Sequence, residues 1–329
     1  MTTLERLPTV EDVREASAVL AGVARMTPVL RDPLLDELLG ADVFVKSEFL
    51  QLGGAFKFRG IFNKVSSLDQ DDLERGIVIA SSGNAGLAAA LAARLRGTSS
   101  VVVMPEGSRP DKQAAIQTAG GTVLISGDSS DAALERAQLV AEHEGRAFIH
   151  PFDQLEVIAG QGTVALELIE QVADLDAVVV PAGGGGLLAG VALVFSALRP
   201  DVQIVGVEPE GANSIQRSLA NGRVTPVEVV STVAEGLGVR RCGSLTFELI
   251  KANVDRVETV SDDALITACG FFWNMLHVAV EPSGAAGLAL LLSTDDFSGK
   301  RVAVVASGAN IAIERLAEAV TASSLVLGR

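Results

Sequence analysis

One lysine of this sequence stands in a setting that favours a nucleophilic amine. Lys57 lies between Phe56 and Phe58, inside the glycine-flanked segment GGAFKFRG at 53–60. An apolar environment disfavours an ammonium group, so it lowers the pKa of a lysine and leaves a free amine that can attack a carbonyl. The alternative is a surface lysine whose stem passes apolar neighbours while its amine reaches water.

A run of glycines could hold a phosphate. Gly183, Gly184, Gly185 and Gly186 precede Leu187 and join an apolar stretch to the start of a predicted helix. Backbone N–H groups at a helix start attract anions, and glycine permits close approach. The alternative is a tight turn, for which one or two glycines suffice. The run matches neither GK[ST] nor GxGxxG. A phosphate site beside a reactive lysine favours pyridoxal phosphate, a carbonyl cofactor that bonds to lysine.

Two other loops carry polar side chains. Ser81, Ser82 and Asn84 follow the apolar run IVIA, and Ser307 follows the run RVAVV. Ligands of open α/β sheets bind at the carboxyl ends of the strands, where these residues fall. The first three side chains could cap the next helix or hold a substrate carboxylate. For Ser307, a simple cap and a hydrogen bond to a ligand are both open.

The elements that must position these residues alternate along the chain. Short apolar runs predict strands at 77–80, 101–104, 123–125, 148–149, 177–180, 203–207 and 301–305. Longer segments, many of them rich in alanine, predict helices at 85–97, 112–119, 130–144, 162–172, 187–198, 213–221, 263–274, 284–292 and 309–322. Apolar strands that are each followed by a helix indicate parallel sheets covered on both faces. The predicted fold class is α/β, with two twisted, mostly parallel sheets flanked by helices.

Composition excludes several classes of protein. The 329 residues include 48% hydrophobic residues, and 26 Lys and Arg against 41 Asp and Glu leave a net charge of −15. Such a chain folds as one large or two mid-sized domains and does not favour nucleic acid or an anionic membrane. Its two cysteines form no CxxC pair and its three histidines are scattered, which argues against zinc and against a Ser-His-Asp hydrolase. The charged N-terminal segment does not resemble a signal peptide, so we expect a cytoplasmic protein.

Together, the motifs resemble the fold-type II pyridoxal-phosphate enzymes, in the branch of the threonine and serine dehydratases and serine racemases. The matching segments keep the family's order over nearly the whole chain: GAFKFRG (54–60), SSGNAGLA (81–88), VIAGQGT (157–163), PAGGGGLLAGV (181–191), VEP (207–209), AEGLGV (234–239), EPSGAAG (281–287) and SGAN (307–310). The resemblance implies a fold like that of the tryptophan synthase β subunit. It also implies a large cofactor-binding domain, at 1–68 and 154–329, and a small inserted domain at 69–153.

The resemblance assigns roles to the cofactor-binding residues. Lys57 would bond to pyridoxal phosphate and later act as the base at Cα, and Phe56 would pack near the cofactor ring. Asn84 would hydrogen-bond the ring hydroxyl, and Ser307 would hydrogen-bond the ring nitrogen. Backbone N–H groups of 183–187 would bind the phosphate.

Other residues would serve the substrate. Its carboxylate would be received by Ser81, Ser82, Asn84 and Ala85. Ser82 would also lie on the face of Cα opposite Lys57, where reprotonation would give racemisation. Racemase-like members usually carry histidine where this chain has Ala85, and the form SSGNAG resembles liver-type serine dehydratases.

A cation site is also implied by the resemblance. The spacing of Glu208, Ala212, Ser214, Leu237 and Val239 looks more like the monovalent-cation site of serine dehydratases than like a divalent site. Such a cage, mostly of carbonyl oxygens, suits potassium better than magnesium. The alternative is that Glu208 pairs with a local donor and no metal binds.

The implied reaction is β-elimination from L-threonine, L-serine or both, which gives a 2-oxo acid and ammonia. A neutral Ser307 at the ring nitrogen favours elimination over reactions that need a long-lived carbanion. Serine racemisation and dehydration of another β-hydroxy amino acid, such as hydroxyaspartate, stay open. Hydroxyaspartate needs a cation for its second carboxylate, for which Arg136 is an unsupported candidate. A non-enzymatic binder would be expected to lose Lys57 first. We expect a homodimer, since two-fold oligomers predominate.

Overall fold

The computed structural model describes residues 6–326, and two sheets organise this part of the chain. Its strands are β1 (Val29–Leu30), β2 (Asp42–Lys46), β3 (Ile77–Ala80), β4 (Ser100–Met104), β5 (Thr122–Ile125), β6 (Ala147–Ile149), β7 (Ala177–Pro181), β8 (Gln203–Pro209), β9 (Arg256–Val260) and β10 (Arg301–Val305). One sheet has the order β1-β2-β10-β7-β8-β9, and the other has the order β5-β4-β3-β6.

Helices cover these sheets. They are α1 (Val10–Leu20), α2 (Pro33–Leu39), α3 (Lys57–Ser66), α4 (Gln70–Arg75), α5 (Asn84–Leu95), α6 (Pro110–Thr118), α7 (Ser130–Glu144), α8 (Leu155–Gln171), α9 (Gly186–Leu198), α10 (Ser214–Asn221), α11 (Ser244–Asn253), α12 (Asp262–Leu276), α13 (Pro282–Leu291) and α14 (Ile313–Val326). Short 3-10 turns occupy Glu48–Leu50, Leu52–Gly54 and Glu210–Ala212. No helix within 6–326 has the length and apolarity to cross a bilayer.

The predicted α/β class is confirmed. Every strand pair is parallel except β1 with β2, and β3, β4 and β7 are buried at every position, as continuous apolar runs require. The four-stranded sheet comes entirely from residues 77–149. This grouping is compatible with an inserted unit at 69–153, whose boundaries stay a prediction.

Sequence periodicity missed three strands of the larger sheet for different reasons. β1 has only two residues, both partly buried, which is too short for a periodic signal. β2 ends on Lys46, and a charged residue is not expected at a core position of an apolar run. The side chain of Lys46 is nevertheless fully buried. β9 is an edge strand with only two buried positions, Val257 and Val260, so its polar and apolar residues mix.

Two predicted helix boundaries were also wrong. The helix predicted at 162–172 starts seven residues earlier, at Leu155, and includes glycines that lowered its helical signal. Gly160 allows close helix contact, because a Cβ on it would lie 2.6 Å from Cα of Gly60 in α3. The helix predicted from 309 begins at Ile313 instead, since the side chain of Asn310 bonds back to the carbonyl of Gly53 and holds a loop there.

A buried ion cluster fixes the helix that carries Lys57. Arg59, in the first turn of α3, is 1% exposed and donates to Glu48 at 2.8 Å and to Glu167 at 2.6 Å. Lys46 contacts the same Glu167 at 2.5 Å. The two cations and two carboxylates thus compensate each other inside the protein, and they tie α3 to β2, to the turn after it and to α8.

We expect Glu48→Gln to destabilise the fold strongly. The change leaves two buried cations facing one carboxylate, and breaking a buried ion pair from one side costs about 3–5 kcal/mol. Denaturant unfolding measures the loss. Glu11→Gln is the matched control, because Glu11 pairs with Arg14 at 3.0 Å on the exposed face of α1 and such pairs contribute less than about 1 kcal/mol. Equal losses in the two variants would contradict the proposed importance of the buried cluster.

Candidate active site

A cavity of about 630 Å³ opens where the carboxyl ends of strands from both sheets meet. Residues directly after β3, β6, β7 and β10 line it, as expected for ligand sites of α/β sheets. The cavity brings together every catalytic, cofactor-binding and carboxylate-binding residue predicted from the sequence: Phe56, Lys57, Ser81, Ser82, Asn84, Ala85, Gly183, Gly184, Gly185, Gly186, Leu187 and Ser307.

Lys57 presents its amine to this cavity. It is the first residue of α3, and its Nζ donates to the carbonyl of Pro151 at 2.9 Å. The rings of Phe56 and Phe152 lie 5.1 and 5.9 Å from Nζ. Burial lowers the pKa of Lys57 to about 8. Lys57 is therefore not a surface lysine whose amine extends into water. A buried amine with a lowered pKa is suited to act as a nucleophile.

The four glycines form a crowded turn into α9. A Cβ on Gly183 would lie 2.9 Å from Cα of Leu237, and a Cβ on Gly184 would lie 2.4 Å from the ring of Phe152. Gly185 has a φ of +92° and precedes α9 without any side-chain cap. A simple turn would need one or two glycines, whereas here each of the four is hemmed in by other parts of the chain. The N–H groups at the start of α9 stay without a side-chain acceptor, as a phosphate cradle requires.

The segment Ser81–Ala85 leads into an uncapped helix. Gly83 is the N-cap of α5 and supplies no side chain, while the Ser81 hydroxyl accepts from the N–H of Gly83 at 3.2 Å. The interpretation that Ser81, Ser82 or Asn84 caps this helix is wrong. The first turn of α5 faces the cavity with free N–H groups and the exposed Ser82 hydroxyl, an arrangement that attracts a carboxylate.

Asn84 is held by two side chains that the sequence reasoning did not assign. Its Oδ1 accepts from Asn310 Nδ2 at 2.7 Å, and its Nδ2 donates to Glu281 Oε1 at 2.6 Å. Burial raises the pKa of Glu281. These two bonds orient the amide and leave one N–H of Asn84 for a ligand. Glu281 and Asn310 belong to the motifs EPSGAAG and SGAN. The sequence therefore marked both residues, but it gave no reason to expect that they orient Asn84.

Ser307 is buried at the end of β10. Its hydroxyl donates to the carbonyl of Ser283 at 3.5 Å, and its own carbonyl accepts from Phe56 N–H at 3.1 Å. No helix starts within five residues of it, so it is not a helix cap. The hydroxyl lines the cavity and is a neutral partner for a ligand atom there.

His150 is a cavity residue that sequence reasoning missed. It follows β6, and its Nδ1 accepts from the N–H of Asp153 at 2.9 Å and, more weakly, from that of Phe152 at 3.4 Å. The pKa of His150 is lowered to about 4, mainly by burial; the charge of Asp153 opposes this shift, and the charges of Lys57 and Arg241 add to it. A lone histidine outside any metal-binding pattern gives no sequence signal, and only the folded chain brings His150 to the cavity.

Only two of the five residues predicted to bind a cation line the cavity. Leu237 and Val239 line it, whereas Glu208 is fully buried elsewhere, beside α10. The carboxylate of Glu208 accepts from the N–H groups of Ile215 and Gln216, both at 2.8 Å. Both donors lie within eight residues of Glu208 in the sequence. This is the arrangement expected if Glu208 pairs with a local donor and no metal binds. Burial nevertheless raises the pKa of Glu208 to about 8, despite these two bonds.

The surroundings of Glu208 leave the cation prediction open. The hydroxyl of Ser214 is buried without a hydrogen-bond partner, and Ala212 is fully buried nearby in the chain. Within 6–326 no group of three or more His, Cys, Asp or Glu side chains is arranged to hold a metal ion. The predicted cage, of the Glu208 carboxylate with carbonyl and hydroxyl oxygens, stays a prediction.

Known proteins resemble this chain in sequence and in structure. Residues 20–308 match the family model described as pyridoxal-phosphate dependent enzyme. The chain belongs to this family. It is 38% identical to the L-threonine ammonia-lyase of Thermotoga maritima, over 98% of this chain and 80% of that protein. It is 41% identical to the L-threo-3-hydroxyaspartate ammonia-lyase of Saccharomyces cerevisiae, over 94% of this chain and 96% of that protein. Maize serine racemase superposes with a TM-score of 0.90 at 35% identity, covering 98% and 100% of the two chains.

The residues present fit the family's cofactor. A pyridoxal-phosphate enzyme needs an amine for the cofactor's aldehyde, a cradle for its phosphate and polar partners for its ring. In this chain the amine of Lys57 and the glycine run line one cavity, together with Asn84 and Ser307. The crowded glycines supply a space and a row of N–H groups that larger residues would block. The individual contacts of these residues with the cofactor stay predictions.

Gly184→Ala should weaken cofactor binding at least tenfold. The new Cβ would lie 2.4 Å from the ring of Phe152, so the turn that presents the N–H groups must shift. Titration of the apoprotein with pyridoxal phosphate, followed by absorbance, measures the affinity. Gly97→Ala is the control, because Gly97 has nothing within 4 Å of the added Cβ and does not line the cavity, so it tests the effect of a glycine-to-alanine change elsewhere in the chain. An unchanged affinity in Gly184→Ala would argue against the cradle.

The reaction of apoprotein with pyridoxal phosphate should depend on pH through Lys57. Burial lowers the pKa of this amine to about 8 from the ordinary 10.5, so it is protonated and inert below about 8 and free above it. We expect the observed rate constant to rise with pH and to level off above about 8. Stopped-flow absorbance follows the reaction. A rate that keeps rising towards pH 10 would show that Lys57 has an ordinary pKa.

Proposed function

We propose that this protein is an ammonia-lyase that converts L-threonine, L-serine or both to the 2-oxo acid and ammonia. The observation that carries the proposal is the placement of the Lys57 amine in one cavity with the glycine cradle and the uncapped start of α5. These are the three parts that an amino-acid substrate and the family's cofactor need. The names of the related ammonia-lyases support the same reaction.

Residues of the chain divide the work of elimination. Bound pyridoxal phosphate supplies an electron sink that makes the Cα–H bond of an attached amino acid acidic. The N–H groups of α5, with Ser81 and Ser82, would hold the substrate carboxylate and so orient Cα towards Lys57. Lys57 would accept the Cα proton, since with a pKa of about 8 a useful fraction of the amine is free near neutral pH.

Ser307 and Asn84 would tune the bound ring. A neutral hydroxyl at the ring nitrogen does not enforce a positive charge there, so less negative charge is stabilised at Cα. That favours a reaction in which the β-hydroxyl departs promptly. Asn84 would donate its one remaining N–H to the ring hydroxyl, in an orientation fixed by Asn310 and Glu281.

Serine racemisation is the second candidate, and Ser82 favours it. The side chain of Ser82 is exposed in the cavity, and no hydrogen bond to it occurs in the described part of the chain. A free hydroxyl across Cα from Lys57 could return a proton to the opposite face. Racemisation would then compete with elimination.

Purified holoenzyme given L-serine, L-threonine and D-serine separately will distinguish the two reactions. We expect oxo acid and ammonia from L-serine or L-threonine, while D-serine formed at a comparable rate would indicate a racemase. Lys57→Ala should reduce both reactions to the detection limit. Lys64→Ala is the matched control, since Lys64 lies on the same helix, pairs with Glu156 at 2.8 Å and does not line the cavity. Unchanged ammonia release by Lys57→Ala would refute this mechanism.

We further propose a monovalent cation near Glu208, a homodimer and a cytoplasmic location. The cation is supported by the buried, unpartnered hydroxyl of Ser214, and the same assay with potassium replaced by tetramethylammonium tests it. The homodimer is supported by the prevalence of two-fold assemblies, and light scattering tests it. Both cysteines in the described chain are free and buried, which suits a reducing compartment.

A further inference from the structure

The charged groups that line the cavity can be sorted by their partners. Its four carboxylates are Asp131, Asp153, Glu235 and Glu281, and its four cations are Lys57, Lys112, Arg240 and Arg241. Lys112 pairs with Glu235, and Arg240 pairs with Asp131 at 3.2 Å. Both ion pairs join the side of the four-stranded sheet to the side of the six-stranded sheet.

The other two carboxylates are also engaged. Asp153 accepts from the N–H groups of Ser244, Leu245 and Thr246 at 2.8–3.1 Å and thereby caps α11. Glu281 accepts from Asn84. Neither of these two carboxylates makes an ion pair with a cavity cation in the described chain.

Arg241 is the cation without an acceptor. Its side chain is exposed in the cavity, and within 6–326 it makes no ion pair and no side-chain hydrogen bond, unlike the neighbouring Arg240. The charge of Arg241 reaches His150, as its effect on that imidazole shows. A guanidinium left free beside a substrate cavity can bind an oxyanion with two parallel N–H groups.

His150 adds a neutral donor to the same cavity. Because its Nδ1 accepts backbone N–H groups, the imidazole proton resides on Nε2. In the described chain Nε2 has no hydrogen-bond partner, and the residue lines the cavity. The cavity thus presents two unused kinds of N–H donor, the charged guanidinium of Arg241 and the neutral imidazole of His150.

We propose that Arg241 and His150 bind a second carboxylate on the substrate, so that the preferred substrate is a β-hydroxy amino acid with a carboxylate side chain, such as 3-hydroxyaspartate. The inference rests on the proposed ammonia-lyase function. In the proposed function the N–H groups at the start of α9 and of α5 would serve the cofactor phosphate and the substrate's first carboxylate. The unpaired guanidinium is therefore available for a third anion.

The structure also corrects the cation suggested from the sequence. Arg136 is exposed on α7 and does not line the cavity, so it cannot serve a bound substrate. Like Arg241, it makes no ion pair in the described chain. Arg136→Gln is therefore a matched control for Arg241→Gln, since each variant removes one unpaired positive charge.

The test compares kcat/KM of the holoenzyme for L-threo-3-hydroxyaspartate and L-threonine. In Arg241→Gln we expect the ratio of the two values to fall about 10- to 100-fold, the loss of a charge-assisted hydrogen bond. Arg241→Lys should recover part of it, because the charge remains but the planar fork is lost. His150→Phe should lower the ratio about 2- to 10-fold, as for a neutral hydrogen bond. Arg136→Gln should leave the ratio unchanged.

Binding of succinate, a four-carbon dicarboxylate, gives a second readout by isothermal titration. We expect the wild-type holoenzyme to bind it more tightly than Arg241→Gln does. Turnover of L-threonine without turnover of L-threo-3-hydroxyaspartate in the wild type would overturn the inference and leave the ammonia-lyase proposal standing. If no β-hydroxy amino acid reacts, the proposed function fails, and succinate binding still decides whether Arg241 holds a dicarboxylate.

The cofactor phosphate is the other anion that Arg241 could serve. Titration of each apoprotein variant with pyridoxal phosphate separates the two. A loss of cofactor affinity in Arg241→Gln, with parallel losses for both substrates, would assign the guanidinium to the phosphate and overturn the dicarboxylate inference.

Discussion

The buried pairing of Arg59 with Glu48 and Glu167 is the interaction on which the geometry of the cavity depends. Arg59 lies two residues after Lys57, so whatever holds its guanidinium also holds the first turn of α3. Close contact between Gly60 and Gly160 fixes the next turn against α8. A lysine on a surface loop would gain water and keep its proton. A lysine on this anchored turn is held among aromatic rings, where the neutral amine is favoured.

Electrostatics in the cavity follow from which of its charged groups have partners. Lys112 with Glu235 and Arg240 with Asp131 satisfy each other across the cavity, and Asp153 is satisfied by the start of α11. What stays unsatisfied in the described chain is a set of donors at the starts of α5 and α9, joined by Arg241. Helix starts and an unpaired guanidinium that line one cavity attract negative charge, so this set indicates anionic ligands.

Much of the fold could be predicted because its signals are local. The strands β3, β4, β7 and β10 are runs of apolar residues buried on both faces, and the helices after them start at clear breaks. The signal failed where tertiary contacts override local preference. β2 was missed because a buried Lys46 is tolerated only beside Glu167, and the start of α8 was missed because its glycines serve contact with α3 rather than chain flexibility.

For the site, the sequence by itself determined which chemical groups exist and in what order: a lysine between aromatics, a glycine run and serines at strand ends. Those motifs are short, so residue type and spacing suffice to recognise them. The tertiary structure decided which charges are free. Lys112 and Glu235 lie 123 residues apart, and no local pattern announces that they pair. The same holds for His150 and Arg241, which lie 91 residues apart in the sequence and line one cavity only in the folded chain, while Arg136 does not line it. Electrostatic pairing depends on distances through space, and those exist only once the chain has folded.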